Sequence, residues 1–101
     1  MKIAVMGYGT IGSGVVDVLR INEDKITERA GEEIEVKYIL DLRDFPGDPM
    51  ENAIVHDYQV IVNDPEIGVV VETMGGVEPA YTFVKAMLEA GKQVATSNKN
   101  L

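Results

Sequence analysis

Six residues near the start of this chain, Gly7-Tyr8-Gly9-Thr10-Ile11-Gly12, follow directly on an unbroken apolar run, Ile3-Ala4-Val5-Met6. A short buried strand that breaks into G-x-G-x-x-G and then enters a helix opens a βαβ unit of the kind that binds dinucleotides. Each glycine has its own task. Gly7 permits the tight turn off the strand. Gly9 carries no Cβ, so a pyrophosphate can approach the backbone closely. Gly12 lets the new helix pack tightly on the sheet. The first N–H groups of that helix, at its positive dipole end, then face the phosphates. Glycine-rich turns occur in other α/β proteins. What makes this one specific is its place between a strand-like run and a helix-like one.

With 101 residues, 46% of them apolar, the chain is one domain at most, large enough for a core. Its formal net charge is −8, and no basic stripe interrupts that balance. Nucleic acid and anionic membrane surfaces are therefore not the expected partners. An anionic cofactor stays possible, because a helix N-terminus and one arginine bind phosphate locally. There is no cysteine, hence no disulfide framework. No apolar run approaches a membrane span, and the N-terminal apolar stretch is too short for a signal peptide, so a cytoplasmic location is expected. No cluster of histidines and carboxylates has metal-ligand spacing.

Periodicity predicts a strand over Lys2–Met6, buried on both faces, then a helix from Ile11 to about Ala30. Ile11, Val15, Val18, Leu19 and Asn22 mark its inner face, with Ile26 extending it, and Gly31 stops it. The helix is longer than a minimal first helix of this kind, unless it breaks near Asn22. Glu33–Leu40 reads as a second strand with Ile34, Val36, Tyr38 and Leu40 on one face. Phe45–Pro49 is a loop, and Ala53–Val55 a short third strand. For residues 58–62, β-branched side chains suggest a strand. A parallel crossover from there to the next strand would have too few residues, so a short helix capped by Asp57 is predicted. Ile67–Thr73 is a central strand. Glu78-Pro79 starts a helix whose inner face is Ala80, Phe83, Val84, Met87 and Leu88, with Gly91 as its cap. Lys92–Thr96 follows as a strand. The expected fold class is α/β, a doubly wound parallel sheet of the Rossmann type, truncated after its fourth long strand position.

Ligands of such sheets sit beyond the carboxyl ends of the strands. Those ends supply Gly7 to Gly12, then Asp41 and Arg43, then Thr73, Met74, Gly75 and Gly76, then Ser97, Asn98 and Lys99. Asp41 lies 29 positions beyond Gly12, and its carboxylate suits the adenosine ribose hydroxyls of NAD. Arg43 suits the 2′-phosphate of NADP instead. The pair leaves the choice between NAD and NADP open. On residues alone Lys99 reads better as a solvated lysine than as a site residue. His56, the only histidine, has no evident partner and reads as a surface or loop residue.

Together these residues resemble the homoserine dehydrogenase family. The likeness rests on Gly7-Tyr8-Gly9-Thr10-Ile11-Gly12-Ser13-Gly14-Val15-Val16, on Ile39-Leu40-Asp41-Leu42-Arg43-Asp44-Phe45-Pro46, and on Val69-Val70-Val71-Glu72-Thr73-Met74-Gly75-Gly76-Val77-Glu78-Pro79-Ala80. Gly91-Lys92-Gln93-Val94-Ala95-Thr96-Ser97-Asn98-Lys99 completes it. The resemblance implies NAD(P)-linked, reversible oxidation of L-homoserine to L-aspartate 4-semialdehyde, a step toward threonine, methionine and isoleucine. It implies that Gly7 to Gly12 hold the pyrophosphate, that Arg43 lies beside the adenosine 2′ position, and that Thr73 to Gly76 meet the nicotinamide-side ribose. It makes Lys99 a catalytic candidate near the reacting carbon. It also implies a homo-oligomeric full-length protein, with a catalytic and dimer-forming domain beyond this chain. The chain alone is then expected to hold cofactor without dehydrogenase activity. The alternatives are another NAD(P)-dependent amino-acid dehydrogenase and a non-catalytic nucleotide-binding module.

Overall fold

The computed structural model describes residues 1–22, 25, 28–29, 31 and 33–97. In order these form β1 (Lys2–Met6), α1 (Thr10–Ile21), β2 (Glu35–Leu40), a 3-10 turn (Glu51–Ala53), β3 (Ile54–Val55), α2 (Tyr58–Val62), β4 (Ile67–Glu72), α3 (Ala80–Glu89) and β5 (Gln93–Thr96). Lys25, Glu28 and Arg29 of the expected extension of the first helix are helical, whereas Glu23, Asp24, Ile26, Thr27 and Ala30 lie outside the described residues. So do Asn98 and Lys99.

All strand pairings are parallel, in the order β3-β2-β1-β4-β5. The chain winds outward from β1 to β3, then returns to the other side of β1. That reversal is the doubly wound topology, and it puts a switch point between β1 and β4. β1 is central, and Ile3 to Met6 are all buried, as their unbroken apolar character predicts. Ala4 and Met6 join Leu40, Ile67 and Val70 beneath Ile61 of α2 and Met87 of α3. Val5 and Ile39 instead meet Val16 of α1, together with Tyr8.

Three expectations about faces need correction. In β2 the alternation of Ile34, Val36, Tyr38 and Leu40 is broken. The β1–β2 register shifts between Ile3 and Ala4, so that Ile3 pairs with Val36 but Ala4 pairs with Tyr38. Lys37 is the extra residue, and one extra residue moves all that follows to the other face. Val36 packs with the α1 cluster, whereas Tyr38 packs with the α2–α3 cluster. The shift has a local use: the Lys37 ammonium and the Tyr38 hydroxyl both donate to the Asp64 carboxylate. Those bonds, Lys37 first, hold Asp64 well below the usual carboxylate range.

In α1 the buried residues are Gly12 and Val16, with Val15 partly buried beside them. Ile11 and Val18 face outward. The reason is Gly12, which must lie against the loop below it and so sets the rotation of the whole helix. Asn22 ends α1 by donating from its backbone N–H and its side-chain amide to the Val18 carbonyl. In α3, Ala80 and Met87 are buried, but Leu88 is exposed. Pro79 is the N-cap of α3 and not a residue of its first turn.

Other expectations hold. α2 is a helix, and the Asp57 carboxylate accepts from the Gln59 N–H at 2.9 Å. Gly91 ends α3 with φ +83°. Its N–H donates to the Leu88 carbonyl while that of Lys92 donates to the Met87 carbonyl, a closure that needs the left-handed conformation. Lys92 itself is buried. Its ammonium donates to the carbonyls of Asp64 and Ile67 at 2.8 and 2.9 Å, closing the turn into β4. Lys92→Met keeps the apolar stem but leaves both carbonyls without that donor. It should cost about 1–3 kcal/mol, read as a lower urea midpoint.

Candidate functional site

The glycine turn is shaped by close packing. Gly7 has φ +103°, and its N–H donates to the Leu40 carbonyl at 2.7 Å. A Cβ on Gly12 would stand 1.9 Å from the Gly7 carbonyl oxygen and 2.9 Å from the Thr73 hydroxyl. Nothing lies within 4 Å of the place a Cβ on Gly9 would take. Gly12 thus brings α1 onto the turn, and Gly9 leaves space above it. The Thr73 hydroxyl lies 3.0 Å from the Met6 carbonyl oxygen and 3.1 Å from that of Gly7. It fastens the end of β4 to the end of β1.

A cleft of about 470 Å³ opens over this turn. It gathers Gly7, Tyr8 and Gly9 after β1, Asp41 and Arg43 after β2, and Thr73 and Met74 after β4. These are the strand ends on either side of the switch point. The remaining candidates stand apart from its lining. Thr10 and Ile11 are exposed on the first turn of α1, and Gly12 is buried behind the turn. Gly75 and Gly76 are exposed, with φ +75° and +73°, consecutive left-handed conformations that favour glycine at both positions. Ser97 follows β5, and its N–H donates to the Glu72 carbonyl at 3.4 Å.

Tyr8 contributes a wall and an anchor. Its side chain is buried, with the ring edge-on to Phe45 at 5.0 Å and the hydroxyl donating to Asp48 at 2.9 Å. Burial, then the Asp48 hydrogen bond, pushes the phenol up to about 12. Its backbone N–H donates to Asp41 at 3.0 Å.

Asp41 is the most heavily bonded carboxylate of the cleft. Oδ1 accepts from the backbone N–H and Nε of Arg43 at 2.9 and 3.0 Å. Oδ2 accepts from Nη2 at 2.9 Å as well as from Tyr8. The guanidinium is mostly exposed and lies over the Phe45 ring at 5.2 Å. Adjacent strand-end charges have therefore become a two-point ion pair. A ribose hydroxyl can use Asp41, or a phosphate Arg43, once this pair loosens. The Arg43 side chain, then its backbone N–H and that of Tyr8, lower the Asp41 carboxyl from 3.8 to about 2. A depressed folded-state value means stability that is fully present above the unfolded value and lost as pH falls through the folded one. Asp41→Asn should therefore flatten the acid-side loss of stability between about pH 4 and pH 2, measured by urea unfolding across that window.

Sequence reasoning missed His56. It lines the cleft, and its Nε2 lies 2.9 Å from Asp44 Oδ1. The signal was the adjacency of strand ends: Asp44 follows β2, His56 follows β3, and those strands are neighbours. Pro79 and Phe83 also line the cleft from the α3 side. Among the described residues no group of three or more carboxylates and histidines is arranged to hold a metal ion, and no helix is long and apolar enough to cross a membrane.

A family model described as “Homoserine dehydrogenase, NAD binding domain” matches residues 7–101. The chain belongs to that family. The homoserine dehydrogenase of Pseudomonas aeruginosa is 40% identical over 102 residues, covering 100% of this chain and 24% of that protein. That of Lactococcus lactis is 37% identical over 109 residues, covering 100% and 25%. Among solved structures, Staphylococcus aureus homoserine dehydrogenase superposes with a TM-score of 0.89 at 34% identity, over 100% of this chain and 26% of that one. The chain thus spans about a quarter of the length of the relatives it matches. The family is an NAD(P)-binding one, and the turn fits that role. Gly12 packs against its carbonyl, and Gly9 leaves open space beside it.

Proposed function

We propose that this chain binds NAD or NADP across the C-terminal ends of β1, β2 and β4. We further propose that it is the cofactor-holding part of a longer polypeptide that reversibly oxidises L-homoserine to L-aspartate 4-semialdehyde. One observation carries the first statement: the glycine turn and the cleft coincide at the switch point of the sheet. The second is supported by the names of the relatives, which are homoserine dehydrogenases.

When bound, the dinucleotide supplies a nicotinamide ring able to accept a hydride. The chain's own residues bind and orient. The first-turn N–H groups of α1, from Gly9 through Thr10 and Ile11 to Gly12, hold the pyrophosphate, since helix-start donors have no intrahelical acceptor. Asp41 and Arg43 hold the adenosine ribose or its 2′-phosphate. Thr73, Met74, Gly75 and Gly76 border the nicotinamide-side ribose, and Ser97 closes the same end. The family resemblance makes Lys99, which lies outside the described residues, the candidate for the reacting carbon. In the overall reaction the alcohol carbon gives up a hydride and the hydroxyl its proton, leaving the aldehyde. Groups that hold the amino acid and take that proton belong to the remainder of the polypeptide, which we also propose to be cytoplasmic and homo-oligomeric.

The test is an amide NMR titration of the chain with NAD and separately with NADP. Shifts at Gly7, Gly9, Asp41 and Arg43 are expected, and the tighter ligand identifies the cofactor. A well-dispersed spectrum that neither ligand perturbs overturns the assignment. Added L-homoserine should yield no reduced cofactor with this chain alone. Measurable reduction would show that the chain carries the whole catalytic apparatus.

A further inference from the structure

Glu72 is the last residue of β4, and it is completely buried. A buried carboxylate is costly unless hydrogen bonds compensate it, and an apolar residue would fill the same core position without that cost. Its partners suggest why a carboxylate stands there. Oε2 accepts from the backbone N–H of Met74, two residues on, in the turn after β4. Oε1 accepts from the hydroxyl of Thr96, the last residue of β5. The Glu72 backbone carbonyl adds the bond from the Ser97 N–H. One side chain therefore joins two strand exits that leave the sheet side by side. One exit runs into Thr73 to Gly76, and the other leads into Ser97.

We infer that Glu72 is a positioning residue for the nicotinamide half of the cofactor, because its carboxylate fixes the spacing between the Met74 turn and the exit of β5. This rests on the reading that residues 73–76 meet the nicotinamide-side ribose. The adenosine half is supported elsewhere, by the Asp41–Arg43 pair and the glycine turn. Loss of Glu72 should therefore weaken one half of the ligand and spare the other, which a general loss of stability would not do.

The experiment compares NAD with ADP by calorimetry on the whole 101-residue chain. ADP carries the adenosine and pyrophosphate but neither the second ribose nor the nicotinamide, and both ligands lack a 2′-phosphate. Glu72→Ala should weaken NAD about tenfold, the equivalent of one lost hydrogen-bonded arrangement. ADP should stay within about twofold, because the Glu72 carboxylate bonds Met74 and Thr96 and neither the glycine turn nor the Asp41–Arg43 pair. Glu72→Gln should recover NAD binding to within about threefold, because its amide oxygen can accept from Met74 while its NH₂ donates to the Thr96 oxygen. Equal weakening of both ligands, or unchanged NAD binding, overturns the proposal. If Glu72→Ala does not fold, Thr96→Val carries the same comparison, since it removes the bond to β5 and leaves the Met74 bond. An unchanged ratio of the two affinities in that variant overturns the proposal too. Failure of the unmutated chain to bind either ligand is a different result. It removes the dinucleotide site itself, and the inference with it.

Discussion

Gly12→Ala should destabilise the fold by about 3 kcal/mol or more and remove dinucleotide binding with it. The added Cβ would lie 1.9 Å from the Gly7 carbonyl oxygen and 2.8 Å from its carbon. Both are backbone atoms, and neither can step aside. The Gly7 N–H is bonded to Leu40, and the Gly7 carbonyl lies against the Thr73 hydroxyl. The helix would have to lift away from β1, and Val16 would leave the cluster it shares with Val5 and Ile39. The same helix contains an internal control. Nothing lies within 4 Å of a Cβ on Gly14, which is exposed in the helix interior. Gly14→Ala should stabilise the chain by about 0.5–1 kcal/mol through helix propensity alone. Urea midpoints of the two variants should move in opposite directions. A Gly12→Ala protein as stable as the parent would show that α1 is not seated on Gly7.

Gly9→Ala should behave differently, with the fold kept and the ligand lost. Gly9 has φ −81° and ψ −157°, an extended conformation open to any residue. A methyl group there meets no protein atom within 4 Å. What it meets is the space above the turn, where we propose that the pyrophosphate approaches the backbone. Affinity for the dinucleotide should fall about a hundredfold, or roughly 2.7 kcal/mol, with an unchanged circular dichroism spectrum and urea midpoint. Full affinity in this variant would move the pyrophosphate away from the glycine turn. The two alanines, three positions apart, therefore separate folding from binding within one motif.

The features legible in advance were those whose cause lies within a few residues. The turn at Gly7 to Gly12 follows from sterics between near neighbours. The cap at Asp57 and the stop at Gly91 are equally local. The placing of α2 came from topology, because a parallel crossover from Val62 to Val69 needs more chain than residues 63–68 supply. The features that were not legible depend on a partner distant in sequence. Lys37 displaces the β2 register only because β1 runs beside it and Asp64 waits at the end of α2. Ile11 and Val18 satisfy a helical period as well as Gly12 and Val16 do, and only the contact of Gly12 with Gly7 chooses between them. Leu88 belongs to an apolar row by helical spacing, yet it is exposed where the adjacent Met87 is buried. In the site, the chain order identified Asp41 and Arg43 as candidates for two cofactors. It did not show that each holds the other. His56 was passed over because its partner Asp44 is adjacent only once β2 and β3 lie side by side.

The Thr73 hydroxyl, set between the carbonyls of Met6 and Gly7, has a consequence for how a ligand is received. The backbone that we propose meets the phosphates takes its shape from the centre of the sheet and not from an anion. Its conformational entropy is given up when the chain folds, well before any cofactor arrives. Binding then has little ordering of the turn to oppose it, and the incoming phosphate finds a preorganised surface.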